Sequence, residues 1–337
     1  MKTPRVLVAF NTPSAFPADK DYIEELKHPD WKTEADVAAA LRELDFPFEL
    51  SGLYDDTRVL QQKIESFKPD VIFNLIERFK NNASHEADTA SFLKLLGIPF
   101  TGCGPAAITL CKDKGLTKEI LTYHRIRIPR FIVLPVKKPV HRPKRFTFPI
   151  FIKPLKEEAS LGISQASLVE NDLQFRERVA FLHDTMNQNV IAEQFIAGRE
   201  IYVSLLGNKR LEVFPFREMV FSRVEDEDPK IATYKAKWDE AYRKKWGIQN
   251  KFAGDLSAEL EEKIRKLSKK IYRVLSIRGA ARLDLRLTPE SEVFFIEANP
   301  NPMLAKDEDF ALSAQKAGLS YPELIRRMIS LALAEEE

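Results

Sequence analysis

The chain has 337 residues, more than one hydrophobic core of ordinary size serves, so two or three packed subdomains are expected. Its net charge of +2 gives nucleic acid no global attraction, and no apolar run reaches membrane-spanning length. Its two cysteines, Cys103 and Cys111, fit no zinc or redox spacing, and the run Val6 to Phe10 is too short for a signal peptide, so a reducing, cytoplasmic setting is expected.

Strand-like and helix-like segments alternate through the first hundred residues. Arg5 to Phe10 reads as a buried strand, Glu34 to Leu44 as a helix, Phe48 to Leu53 as a second strand and Arg58 to Phe67 as a second helix. Pro69 to Asn74 follows as a third strand, Glu86 to Leu96 as a helix and Gly97 to Phe100 as another short strand. This alternation predicts an open parallel sheet with helices on both faces. Ligands in such sheets sit at the carboxyl ends of strands, so Asn11 to Ser14 and Asn74 to Arg78 are candidate lining.

The texture changes near residue 101. Gly102-Cys-Gly104-Pro-Ala-Ala107 has the spacing of a dinucleotide loop, but Pro105 and the missing downstream acid favour a plain turn. Lys112 to His124 reads as a helix, and the proline-rich stretch 129–149 as a connector with one strand, Phe131 to Leu134. Pro149 to Lys153 is a strand ending in a lysine. The loop Lys156 to Gly162 follows it, returning to Ile163–Leu168. A lysine at the mouth of a buried strand under a glycine-containing loop suits a phosphate clamp, against the plainer reading of a snorkelling side chain. Asn189 to Ser204 reads as strand, turn, strand, with Glu193 and Glu200 beside apolar residues that could hold a purine and its ribose. Val203 to Val213 is a hairpin across Gly207-Asn208. Phe221 to Gly254 is polar and irregular. Leu256 to Ser276 carries Leu260, Ile264, Leu267, Ile271 and Leu275 on one helical face.

The richest chemistry lies near the end. Ala281-Arg-Leu-Asp-Leu-Arg and Phe294-Phe-Ile-Glu-Ala-Asn-Pro-Asn-Pro read as two strands joined by a turn at Thr288–Ser291. Pairing them sets Asp284 beside Glu297, with Asn299 facing the same way. Two carboxylates and an amide oxygen suit Mg²⁺, which shares its ligands with phosphates. Arg282, two residues before Asp284, points to the same face. Acids at hairpin ends are commonly mere solvated decoration, but here the carboxylate stands at the mouth of a buried strand. Asp309 to Ala317 and Tyr321 to Ala334 close the chain as helices.

The order Lys114, Lys153 with its glycine loop, Glu193 to Glu200, Tyr234-Lys-Ala-Lys237, Arg282-Leu-Asp284 and Glu297-Ala-Asn299 resembles the ATP-grasp superfamily, in its D-alanine–D-alanine ligase branch. The resemblance covers nearly the whole chain. It implies an α/β fold: an N-terminal open parallel sheet (1–100) followed by a two-subdomain ATP-grasp fold, with a central subdomain (101–205) and a C-terminal one (206–337). It implies that ATP phosphorylates a carboxylate and that an amine displaces the phosphate to form an amide. Lys114 and Lys153 would contact the phosphates, Lys237 would reach the γ-phosphate, and Glu193, Phe195, Ile196 and Glu200 would border adenine and ribose. Asp284, Glu297 and Asn299 would hold two Mg²⁺, or Mn²⁺ in their place. Arg282 would steady the oxyanion, and Ser160 is the serine retained in the glycine loop. Small-molecule partners and a homodimer are what the resemblance suggests.

The departures fall in the amino-acid half. The first loop has no glutamate, Glu77-Arg78 stands near the branch's His-Gly, Trp238 replaces a tyrosine, and Asp307 and Glu308 follow where small residues receive a substrate carboxylate. D-alanine is therefore not the expected substrate; a cationic acceptor fits better. The alternative is a nucleotide-binding scaffold that kept the fold and lost the chemistry.

Overall fold

The computed structural model describes residues 3–224 and 230–334. In the first unit, β1 (Val6–Asn11), α1 (Lys32–Glu43), β2 (Phe48–Leu53), α2 (Arg58–Phe67), β3 (Val71–Leu75) and α3 (Glu86–Leu95) alternate along the chain. The strands form a parallel sheet in the order β2-β1-β3. Leu7 and Ala9 enter one core with Leu60 and Leu93, while Val6, Val8 and Phe10 enter another with Val37 and Leu41. The period-2 alternation of a strand thus covers both faces with helices. The strand expected at Gly97–Phe100 is reduced to one bridge between Ile72 and Phe100.

The middle of the chain holds α4 (Pro105–Lys112), α5 (Lys114–Tyr123), β4 (Phe131–Leu134), β5 (Ile150–Pro154), β6 (Leu168–Val169), α6 (Asp172–Met186) and β7 (Val190–Gln194). The turn expected around Pro105 is instead a helix start: the proline stands at its first position, where its missing N–H costs nothing. Asp113 caps α5 by accepting from the Leu116 N–H. The four strands form an antiparallel sheet, β4-β7-β5-β6. The return strand expected over 163–168 is shortened by a 3₁₀ turn at Gln165–Ser167.

The last unit holds β8 (Arg199–Gly207), β9 (Leu211–Val213), β10 (Arg217–Phe221), α7 (Tyr234–Trp238), α8 (Glu240–Trp246), β11 (Ile248–Phe252), α9 (Ala258–Val274), β12 (Gly279–Leu287), β13 (Val293–Asn299), α10 (Asp309–Lys316) and α11 (Tyr321–Leu333). Its sheet runs β11-β10-β8-β12-β13, with β9 on β8. Two sheets therefore meet where the chain passes from β7 to β8, over 195–198, ahead of the boundary expected at 205/206. The stretch 221–254 carries two short helices and β11, which its polar composition hid; residues 225–229 of it lie outside the described residues. Ile264 and Ile271 of α9 are fully buried against Leu283 and Leu285 of β12. The same continuous core reaches Leu7 and Leu60 in the first unit.

Candidate active site

The β12–β13 hairpin sets Asp284 directly opposite Glu297 and Arg282 opposite Asn299. The pairing then slips: Leu285 faces Phe295, so the register skips Ile296. Such a bulge re-aims the side chains beside it. Asn299 donates its amide N–H to Asp284 Oδ1 at 3.3 Å. Arg282 grips both oxygens of Asp284 at 2.8 and 3.1 Å and lies over the Tyr202 ring.

Burial pushes Asp284 up to about 6, with Arg282 and Lys237 opposing. Burial also opposes ionisation of Glu297, but Lys114, Lys153, Lys237 and Arg282 outweigh it and hold its carboxyl well below the usual range. The surrounding cations thus offset the cost of burying two adjacent carboxylates. Among the described residues no three His, Cys, Asp or Glu side chains form a metal cage. Two carboxylates and an amide fit Mg²⁺, which fills its remaining positions with water and phosphate oxygens.

Behind the hairpin lies a buried charge cluster. Glu193 Oε1 stands 3.2 Å from Lys153 Nζ and 3.3 Å from Lys118 Nζ. Burial would raise the Glu193 carboxyl, yet the two ammonium groups hold it below its ordinary value. The sequence ends a family-like segment, Lys112 to Lys118, on this lysine but gives it no role. A lysine at mid-helix resembles a solvated one, and only its fit to the buried face of α5 marks it.

The expected nucleotide residues gather around one narrow cleft between the two sheets. Lys153, Ser160, Glu193, Phe195, Ile196, Glu200, Lys237, Asp284 and Glu297 all line it, together with Arg286. Glu200 is engaged by Arg286 at 2.9 Å and by the Tyr202 hydroxyl at 2.9 Å. Lys114 lines neither this cleft nor the neighbouring one; its ammonium donates to the Glu157 carbonyl in the glycine loop. The cleft's free volume is about 70 Å³, far below the several hundred that an organic ligand fills.

Ser160 of the glycine loop forms part of the wall of this cleft. Three hydrogen bonds latch that loop to the segment carrying Lys237: Trp238 Nε1 to Ala159 O at 3.0 Å, Ser160 Oγ to Ala232 O at 3.0 Å, and Tyr234 N to Ile163 O at 3.2 Å. Ala159 and Ser160 hold positive φ of 53° and 59°, a conformation that costs roughly 1–2 kcal/mol per residue. Gly162 is needed at φ 73°, since a Cβ there would meet Met186 and Pro154 at 2.8 Å.

A second, larger cavity of about 710 Å³ adjoins the first. Arg282 and Asn299 line it, not the narrow cleft, and among the described residues only Lys237 and Glu297 line both. Its walls carry Glu77, Glu86, Glu158, Asp307 and Glu308. Glu77 faces into the cavity and keeps an exposed surface. Partial desolvation by the surrounding walls, then Glu86 and Glu158, push it up to about 7. Of the two strand-end loops expected to line a site, Glu77 alone does so; Asn11 supports it by accepting its backbone N–H at 3.0 Å. On the far wall, Arg217 is paired with Asp309 at 2.9 Å.

The family model for the D-ala D-ala ligase C-terminus matches residues 110–330. An uncharacterized protein, y4sG of Sinorhizobium fredii, is 28% identical over 90% of this chain and 88% of its own length. D-alanine–D-alanine ligase A of Chromobacterium violaceum is 29% identical over 78% of this chain and 69% of its own. By fold, the D-alanine–D-alanine ligase of Bacillus anthracis complexed with ATP superposes with a TM-score of 0.76, covering 99% of this chain and 100% of that one at 19% identity. The VanG D-Ala:D-Ser ligase of Enterococcus faecalis gives 0.71 over 98% and 100%, also at 19% identity. No helix among the described residues is long and apolar enough to cross a membrane. The chain belongs to the D-alanine–D-alanine ligase family of ATP-grasp proteins, and is an ATP-dependent, ADP-forming C–N ligase.

Proposed function

We propose that the narrow cleft binds Mg·ATP, that the larger cavity holds a carboxylic acid and a cationic amine acceptor other than D-alanine, and that the two are joined at Lys237 and Glu297. The observation that carries this reading is that, among the described residues, these two side chains alone line both cavities. ATP supplies the transferable phosphoryl group, and Mg²⁺ held by Asp284, Glu297 and Asn299 shields its charge. Lys153 and Lys237 orient the phosphates. Arg282, held rigid by Asp284, faces the larger cavity, where negative charge grows on the acyl oxygen as the amine adds. The latched glycine loop excludes water, which would otherwise hydrolyse the acyl phosphate. The carboxylates Glu77, Glu158 and Glu308 favour an acceptor that carries positive charge beyond its reacting amine.

The test is ADP release by the purified chain with Mg·ATP, a panel of carboxylic acids, and amines graded from D-alanine to diamines and basic amino acids. Release that needs both an acid and a dicationic amine is expected. Equal or better activity with D-alanine alone would overturn the substrate assignment. ATP binding without turnover across the panel would favour the scaffold alternative.

A further inference from the structure

Lys118 has no exposed surface and lines neither cavity, yet it touches both halves of the nucleotide cleft. From α5 its ammonium donates to the Ile296 carbonyl at 2.8 Å and lies 3.3 Å from Glu193 Oε1. It also sits 5.4 Å from the centre of the Phe295 ring. Ile296 is the residue that the hairpin register skips, immediately before Glu297. A bulge takes its extra residue out of the regular ladder, and a buried polar group needs a partner. Lys118 supplies one to the Ile296 carbonyl. Burying an ammonium is costly unless it is both paired and hydrogen-bonded, and here Glu193 and the bulge carbonyl together meet that condition. Glu193 is shared in turn with Lys153. One ammonium thus ties the sheet that carries Lys153 to the hairpin that carries Glu297.

We propose that Lys118 is a positioning residue that pins the Ile296 bulge, and so fixes Glu297 relative to Lys153, without touching the nucleotide. This inference rests on the reading of the narrow cleft as a Mg·ATP site. Its role parallels that of the outer partners that orient metal ligands, whose loss costs about 10- to 100-fold in metal affinity or activity.

The experiment measures binding of a fluorescent ATP analogue to the full chain, with Mg²⁺ and with chelator. It compares the unaltered protein with Lys118→Met, which loses both contacts, and Lys118→Gln, which keeps a donor for the Ile296 carbonyl. In Lys118→Met the gain in affinity conferred by Mg²⁺ is expected to shrink about 10- to 100-fold, and Lys118→Gln is expected to recover part of it. A lowered Tm with the Mg²⁺ gain intact in both would mean a merely structural lysine and overturn the proposal. Should the variants fail to fold, the Lys118 Nζ resonance of the unaltered protein decides. It is expected to move when Mg²⁺ is added at saturating ATP; a signal that does not move overturns the inference. No ATP binding by the unaltered protein would remove both the cleft reading and this inference. A normal Mg²⁺ gain kept by both variants would remove this inference alone.

Discussion

Glu297→Gln separates metal binding from nucleotide binding in one residue. The carboxyl is held ionised by Lys114, Lys153, Lys237 and Arg282, so the amide removes a full negative charge from a buried cationic cluster. A Mg²⁺ site that loses one of its two carboxylates should lose more than one that loses an outer partner, which costs about 10- to 100-fold in metal affinity, so Mg·ATP affinity should fall about a hundredfold or more. The metal-free nucleotide should respond the other way. With an effective dielectric of about 20 and a phosphate at about 6 Å, one fewer negative charge favours metal-free ATP by up to about 3 kcal/mol before screening. Calorimetric titration with ATP in Mg²⁺ and in chelator reads both signs directly, and ADP release should fall to background. Parallel losses in the two titrations would show that Glu297 does not act through a metal.

Two further predictions test the latch and the acidic chamber. Trp238→Phe keeps an aromatic ring but deletes the hydrogen bond to Ala159, worth about 0.5–1.5 kcal/mol. ATP should associate about two- to tenfold faster in stopped flow and hydrolyse more without acceptor, whereas slower association would refute the latch. Glu77, raised to about 7 from an ordinary 4.5, binds more protons in the native state than in the unfolded chain between those values, so stability contributed by this group falls as pH rises through that window. The ionised form attracts a cation, so the acceptor KM should drop between pH 6 and 8 and lose that slope in Glu77→Gln; an unchanged slope would exclude Glu77 from the acceptor site.

Much of this arrangement is legible in the sequence because short-range rules govern it. Asp284 and Glu297 are apposed because strands alternate with period two and a short turn joins them, and α9 is explicit in its apolar stripe. What escapes is long-range. Lys118 and Arg286 look like ordinary surface cations until burial and partners are known. The passage of β8 into a different sheet from β7 depends on pairing with β12, 80 or so residues on. The helices and β11 within 221–254 lack a strong pattern because α8 buries no residue fully and β11 is a largely exposed edge strand.

Among the described residues, Lys237 and Glu297 form the threshold that the two chambers share. On the proposed reading, spent nucleotide and finished amide depart on opposite sides of that threshold, so neither has to wait behind the other. A bulky group introduced at Lys237 or Glu297 would then obstruct both rooms at once, because each side chain belongs to both.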